Sequence, residues 1–120
     1  MADTEEPATE PEIGPGEVEF VELGSGRFAI RGDLTFQTAT AALEESKELF
    51  ADHAIIEIDL ANVRRSDSAG LALLLEWVNW AKNYVREIRF KNIPKQVISI
   101  AQISEVDDML YKGERWTGVI

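Results

Sequence analysis

Two neighbouring stretches decide the fold of this chain: Ala54-Ile-Ile-Glu-Ile-Asp-Leu60 and Arg64-Arg-Ser-Asp-Ser-Ala-Gly70. The first stretch is rich in β-branched apolar residues, which predicts a central, buried strand. The second stretch is polar, and the apolar residues that follow it predict a helix from Ser68 to about Tyr84. A strand that leads through a short polar junction into a helix is typical of α/β proteins.

The rest of the chain supplies further strands and helices on both sides of this unit. Two stretches in which polar and apolar residues alternate, on either side of a Gly-rich turn, predict a β-hairpin. After the hairpin, an amphipathic pattern predicts a helix that Thr35 caps. Downstream, a short strand is followed by a helix that starts at Pro94 and by a last helix capped by Ser104, with Met109 and Leu110 packing inward. The predicted strands are 17–23, 27–31, 54–60 and 87–90, and the predicted helices are 36–50, 68–84, 94–103 and 104–110.

This order of elements defines a fold class. Strand–helix–strand units imply right-handed crossovers and parallel pairing, whereas the opening hairpin adds an antiparallel pair. We therefore expect a single α/β domain with a mixed sheet of about four to five strands and helices packed mainly on one face.

Composition and charge narrow the function classes. The chain has 45% apolar and 28% charged residues, which is ordinary for one globular domain, and a net charge of −10. Such a charge repels phosphates, so nucleic acid and anionic lipid surfaces are not expected partners, whereas a basic protein would be attracted. The chain has no signal-peptide pattern, and its longest apolar stretch is far shorter than a membrane span, so we expect a cytoplasmic protein without direct membrane insertion.

Both ends of the chain differ from the middle. Residues 1–16 carry five acidic residues and three prolines but no Lys or Arg, which predicts a disordered acidic tail that is either a solvated leader or a docking arm. The domain is expected to occupy residues 17–110. Residues 111–120 have no clear period and are either a tail or a small extra strand.

The sequence lacks the residues that most enzymes need. There is no cysteine, His53 is the single histidine, and neither a phosphate-binding loop nor a dinucleotide-binding glycine motif is present. We therefore expect no metal, no cofactor and no catalytic site.

The candidate site is the junction of Asp67, Ser68, Ala69 and Gly70. Asp67 or Ser68 can accept hydrogen bonds from the free N–H groups of the first helical turn, as an N-cap does. The same free N–H groups and the helix dipole favour an anion, so a phosphate on Ser68 would be stabilised there, with help from Arg64 and Arg65. The small Ala69 and Gly70 leave the junction open to a partner.

The helix after the junction has more apolar surface than one sheet can cover. A second apolar stripe is centred about 110° away from the stripe that is assigned to the core. The core stripe, at helical spacing, consists of Leu71, Leu74, Leu75, Val78, Ala81 and Val85. Either neighbouring helices cover this second stripe, or it is an exposed aromatic surface that binds a partner. The second stripe consists of Leu73, Trp77, Trp80 and Tyr84.

The sequence Asp67-Ser-Ala-Gly-Leu71 after an apolar strand, in this order of elements, resembles the STAS domain family, which includes anti-sigma factor antagonists. The longer stretch from Ile58 to Leu75, with Ala81-Lys82 and the helix of residues 93–103, is more similar to one branch, the STAS subunit of the Mla-type phospholipid-transport ABC system. The resemblance covers residues 17–110.

The resemblance implies a non-catalytic subunit that binds a protein partner at the junction, and the second stripe of the same helix is a further candidate contact. In the Mla-type branch the partner is the ATPase subunit of a transporter that maintains outer-membrane lipid asymmetry, which would bring the protein to the inner membrane. In anti-sigma factor antagonists, the residue matching Ser68 is phosphorylated by a partner kinase, and this switches binding. One departure is Ala69, where antagonists often have a second serine.

Overall fold

The computed structural model describes residues 12–113, which form four strands and four helices. The elements follow the predicted order, with the second, third and fourth strands longer and the first helix shorter than the sequence suggested. The strands are Val18–Gly24 (β1), Arg27–Leu34 (β2), Ile55–Ser66 (β3) and Glu87–Lys91 (β4). The helices are Ala39–Leu49 (α1), Ser68–Asn83 (α2), Lys95–Ile103 (α3) and Asp107–Gly113 (α4).

The four strands form one mixed sheet in the order β1-β2-β3-β4. β1 and β2 pair antiparallel, whereas β2 with β3 and β3 with β4 pair parallel. The predicted mixed sheet is therefore confirmed, and it has four strands within residues 12–113. Since each parallel pair is joined through a helix, right-handed crossovers place α1 and α2 on the same face.

Burial alternates along the strands because the helices cover one face of the sheet. Ile30, Ile56, Ile58 and Ile88 are fully buried and pack with α2, whose Leu74 and Val78 are also buried. The opposite face carries charged residues that pair across strands, such as Arg31 with Glu19 and Lys91 with Glu57. The core is thus one layer between sheet and helices, as expected.

β3 extends well past β4, and a bulge marks the point where the pairing changes. β4 pairs with residues 55–59 of β3, whereas β2 follows β3 as far as Ser66. At the bulge the Asp59 carboxylate accepts hydrogen bonds from Asn92 Nδ2 at 3.0 Å and Ala61 N at 2.9 Å. The bond from Asn92, and then those from Ala61 and the nearby Lys91 charge, lower the pKa of Asp59 despite its partial burial. The extended β3 carries the chain to the start of α2 at one end of the sheet.

The first helix begins later than predicted. Its N-cap is Thr38 rather than Thr35, so Phe36 lies in a turn before the helix instead of on its apolar face. Thr38 Oγ1 donates to Asp33 O at 2.8 Å and accepts from Thr35 N at 2.9 Å, which stabilises this turn. Phe36 is 84% exposed as a result.

The second apolar stripe of α2 divides between core and surface. Leu73 and Trp77 are buried, with exposures of 4% and 1%, whereas Trp80 is half-buried and Tyr84 is exposed. α1 contacts α2, and Trp77 Nε1 donates to Ser46 Oγ at 2.9 Å. Of the two alternatives, burial by a neighbouring helix is therefore correct for Leu73 and Trp77, so neither belongs to an exposed aromatic surface.

The first stripe and the last helix also need corrections. Val85, assigned to the core, is exposed and follows the end of α2 with a left-handed backbone. Ser104 ends α3 rather than capping α4. Leu110 is fully buried, as predicted, but Met109 is exposed.

The predicted ends of the domain are displaced on both sides. Residues 12–16 of the predicted disordered tail contact the domain, because Gly16 N donates to Asp33 Oδ2 at 2.7 Å. At the other end, residues 111–113 continue α4. The remaining parts of both predicted tails, residues 1–11 and 114–120, lie outside the described residues.

Two kinds of feature are absent from the part of the chain that the structure describes. No helix within residues 12–113 is long and apolar enough to cross a membrane. The same residues contain no group of three or more His, Asp or Glu side chains placed to hold a metal ion.

The burial of Trp77 leads to a stability prediction. Trp77→Ala should lower the free energy of unfolding by about 3–5 kcal/mol, because it opens a cavity between α1 and α2 and leaves Ser46 without its donor. Tyr84→Ala, on the exposed end of the same stripe, should change it by less than about 1 kcal/mol. Urea denaturation followed by circular dichroism measures both, and equal effects would contradict the division of the stripe.

Candidate functional site

The predicted site lies where β3 ends and α2 begins. Asp67 has an extended backbone and is the N-cap of α2. Its Oδ1 accepts from Ala69 N at 2.9 Å and from Gly70 N at 3.3 Å. The prediction that Asp67 or Ser68 caps this helix is thus confirmed, and the capping residue is Asp67.

The second oxygen of Asp67 binds a different part of the chain. Phe36 N donates to Asp67 Oδ2 at 3.1 Å. One carboxylate therefore joins the start of α2 to the turn before α1. This contact places the exposed Phe36 beside the junction.

Gly70 is required by a close approach of backbone to backbone. A Cβ at this position would lie 2.5 Å from Leu34 O, at the end of β2. Its conformation is not left-handed, so the constraint is space rather than backbone strain. Gly70 is buried and sets how closely α2 approaches the sheet, rather than opening the junction to a partner as predicted.

Ser68 is the first residue of α2 and is exposed. Within residues 12–113 its hydroxyl makes no hydrogen bond. The expected help from Arg64 is absent, because this guanidinium donates to Ile13 O at 2.7 Å and Gly14 O at 2.9 Å instead. The Ser68 hydroxyl is therefore open to a partner or to a modifying enzyme, without a built anion site around it.

An apolar groove runs from the junction between α1 and α2. It has a volume of about 330 Å³, with Phe36 and Ala69 at the end near Ser68 and the acidic Glu76 further along. The buried Leu73 lies at its floor, so this predicted contact residue shapes the groove from below. The apolar lining consists of Phe36, Ala39, Leu43, Ala69, Ala72 and Leu73.

The predicted site residues thus belong to two separate places. Asp67, Ser68, Ala69 and Gly70 lie together at the start of α2, with Leu73 beneath the groove. Trp80 and Tyr84 lie toward the other end of the helix, with ring centroids 5.8 Å apart, and the guanidinium of Arg86 lies 5.5 Å from the Trp80 ring. A 16-residue helix is about 24 Å long, so one small contact cannot cover both places.

Phe36 is the site residue that the sequence reading missed. Its position fits the helical period, so the sequence pattern predicts it on the apolar face of the first helix. The two threonines that flank this turn, Thr35 and Thr38, were the available signal, since either can cap a helix. With Thr38 as the cap, Phe36 precedes the helix and has no core to enter.

The fold and the junction together define a single α/β domain with a mixed sheet, and a family comparison assigns it further. A family model described as "Mlab, STAS domain" matches residues 22–111, which is more than half of the chain. The chain belongs to the STAS domain family. STAS domains are generally non-catalytic regulatory or interaction domains that act through protein partners.

Solved structures support the same fold. The chain is similar to the anti-sigma factor antagonist SpoIIAA in its unphosphorylated form, with a TM-score of 0.56, 13% identity, and coverage of 72% of this chain and 83% of that one. It is also similar to a sulfate transporter family protein from Wolinella succinogenes, with a TM-score of 0.59, 14% identity, and coverage of 80% and 79%. No curated protein matches the chain significantly.

The Gly70 contact gives a second prediction. Gly70→Ala should destabilise the domain by about 1–3 kcal/mol, because neither Leu34 O nor the helix can move away without disturbing the parallel sheet. Ser68→Ala, two residues earlier and exposed, should change the stability by less than about 0.5 kcal/mol. Thermal denaturation of both variants measures this, and a Gly70→Ala protein as stable as Ser68→Ala would show that the approach is not constrained.

Proposed function

We propose that this STAS domain is a non-catalytic accessory subunit that binds the ATPase of an ABC-type phospholipid transporter, which maintains outer-membrane lipid asymmetry. The proposal rests on the family to which the chain belongs and on the resemblance of residues 58–75 to the Mla-type branch. The observation that carries the site is the exposed pair of Phe36 and Ser68, which Asp67 holds next to each other.

The chemistry of this surface supports a protein partner. A large aromatic side chain that is 84% exposed beside an apolar groove is favourable as an anchor in an interface, where it would be buried. The open Ser68 hydroxyl can donate or accept one hydrogen bond at the edge of that contact. Glu76 at the groove and the net charge of −10 favour a partner surface that carries Lys or Arg.

The contact surface proposed here consists of Phe36, Ser68, Ala69 and the groove between α1 and α2. Asp67 and Gly70 support it from below rather than touching the partner. Trp80 and Tyr84 remain candidates for a second contact at the other end of α2. Through its partner the protein would work in the cytoplasm, at the inner membrane.

A matched pair of substitutions tests this surface. Phe36→Asp should weaken the complex with the ATPase by at least about tenfold, because it removes the proposed anchor and adds a charge. Ile103→Asp, at a residue of α3 that is also 84% exposed, should leave the affinity unchanged. Purified ATPase subunit and surface plasmon resonance measure both, and a complex that tolerates Phe36→Asp would refute the assignment of the surface.

The second candidate function is that of an anti-sigma factor antagonist switched by phosphorylation of Ser68. The observation that favours it is the exposed hydroxyl at the first residue of α2, where the helix dipole stabilises a phosphate. The carboxylate of Asp67, the preceding residue, opposes this effect by repulsion. The partner in this case is an anti-sigma factor kinase.

Charge at Ser68 distinguishes the two functions. If phosphorylation is the switch, Ser68→Asp should lower the affinity for the kinase at least about tenfold more than the uncharged Ser68→Asn does. Intact mass spectrometry of cell-derived protein should then show one phosphate. An ATPase complex needs no phosphate for assembly. Equal binding by the two variants, together with unmodified protein under all growth conditions, would rule out the antagonist function.

A further inference from the structure

The N-terminal segment, residues 12–17, crosses the end of the sheet and is held there by Arg64 of β3. The two terminal nitrogens of this side chain donate to Ile13 O at 2.7 Å and to Gly14 O at 2.9 Å. Nη2 also lies 3.4 Å from Asp33 Oδ1, which is an ion-pair distance without hydrogen-bond geometry. Arg64 therefore binds the segment and the end of β2 at the same time.

Asp33 connects the same two parts from the other side. Its carboxylate is almost completely buried, and Oδ2 accepts from Gly16 N at 2.7 Å. Its own backbone N donates to Glu17 O at 2.8 Å. A buried carboxylate is costly unless hydrogen bonds and an opposite charge compensate for it. Here Arg64 of β3 supplies the charge, whereas the hydrogen bond from Gly16 N is present only when the segment is in place.

Gly32 leaves the space that the segment needs. A Cβ at this position would lie 2.3 Å from Glu17 O and 3.1 Å from Ile13 Cγ2, and the left-handed φ of 100° is itself unfavourable for other residues. Three residues at this end of the sheet thus fit one bound conformation of the segment: Gly32 and Asp33 on β2 and Arg64 on β3.

The segment is also connected to the candidate site through short contacts. Asp33 O accepts from Thr38 Oγ1, which holds the turn that carries Phe36, and Phe36 N donates to Asp67. A cleft of about 490 Å³ lies between the two parts, with Pro15 and Gly16 on one side and Phe36 and Asp67 on the other. The segment therefore forms one wall of a space that opens beside Phe36.

We propose that the N-terminal segment is a conformational device: docked by Arg64 and Asp33, it fixes the turn that carries Phe36 and completes the partner surface. Undocking loosens the turn and lowers affinity for the partner, while α2 and Ser68 keep their places. The effect on the partner rests on the proposed function, whereas the coupling of the segment to the turn does not.

Amide hydrogen exchange of the full-length protein, followed by NMR, tests the coupling without a partner. Arg64→Ala should raise the exchange rate at Gly16 about tenfold, as expected when hydrogen bonds from a charged group are lost, and at Phe36 by at least about threefold. Arg89→Ala removes the same charge on the open face of β4 and should change neither rate. If Arg64→Ala does not fold, Arg64→Lys keeps the charge but cannot bind both carbonyl groups in the same way, and it should raise the same two rates.

Affinity for the ATPase subunit forms the second arm of the experiment. Arg64→Ala should weaken the complex at least about threefold relative to Arg89→Ala. An unchanged rate at Gly16 would overturn the docking by Arg64, and a raised rate at Gly16 with an unchanged rate at Phe36 would overturn the coupling. Unchanged affinity despite faster exchange at Phe36 would overturn the role in the partner surface, whereas absence of binding by the wild-type protein would refute the proposed function alone.

Discussion

The close approach of α2 to the end of β2 is the constraint on which the rest of the structure depends. It is possible because Gly70 has no side chain where Leu34 O lies, 2.5 Å from the position of a Cβ. Asp67 then closes the same junction, with one oxygen on the helix and one on Phe36 N. From this junction follow the burial of the apolar face of α2, the position of the turn before α1, and the exposure of Ser68.

The parts of the fold that sequence reasoning predicted are those that local patterns determine. The apolar stretch of residues 54–60, the polar junction and the helical period of α2 each act over a few residues, so their order gave the mixed sheet. The capping by Asp67 was predictable for the same reason, since an N-cap bonds to the next two or three residues. The length of β3 was not predictable in this way, because the second half of this strand, residues 61–66, pairs with β2 alone.

The parts that were missed depend on contacts distant in sequence. The burial of Trp77 requires Ser46 and α1, 31 residues away, and helical spacing alone could not decide it. Phe36 fits the period of α1, yet it lies in a turn before that helix, and Thr38 holds this turn by its bond to Asp33 O. Residues 12–17 are bound by Arg64, which lies 50 residues beyond Gly14. The acidic, proline-containing composition of residues 1–16, taken alone, predicts disorder instead.

The two outer strands of the sheet bear on how the domain behaves before it meets a partner. A sheet with free edges offers unpaired backbone groups to other chains, and proteins commonly block such edges with short strands and charged side chains. β4 has only five residues, three of them the charged Glu87, Arg89 and Lys91, and β1 ends in a bulge at Glu22–Gly24. Within residues 12–113, these features of the two edge strands disfavour the addition of a strand from another copy of this acidic domain.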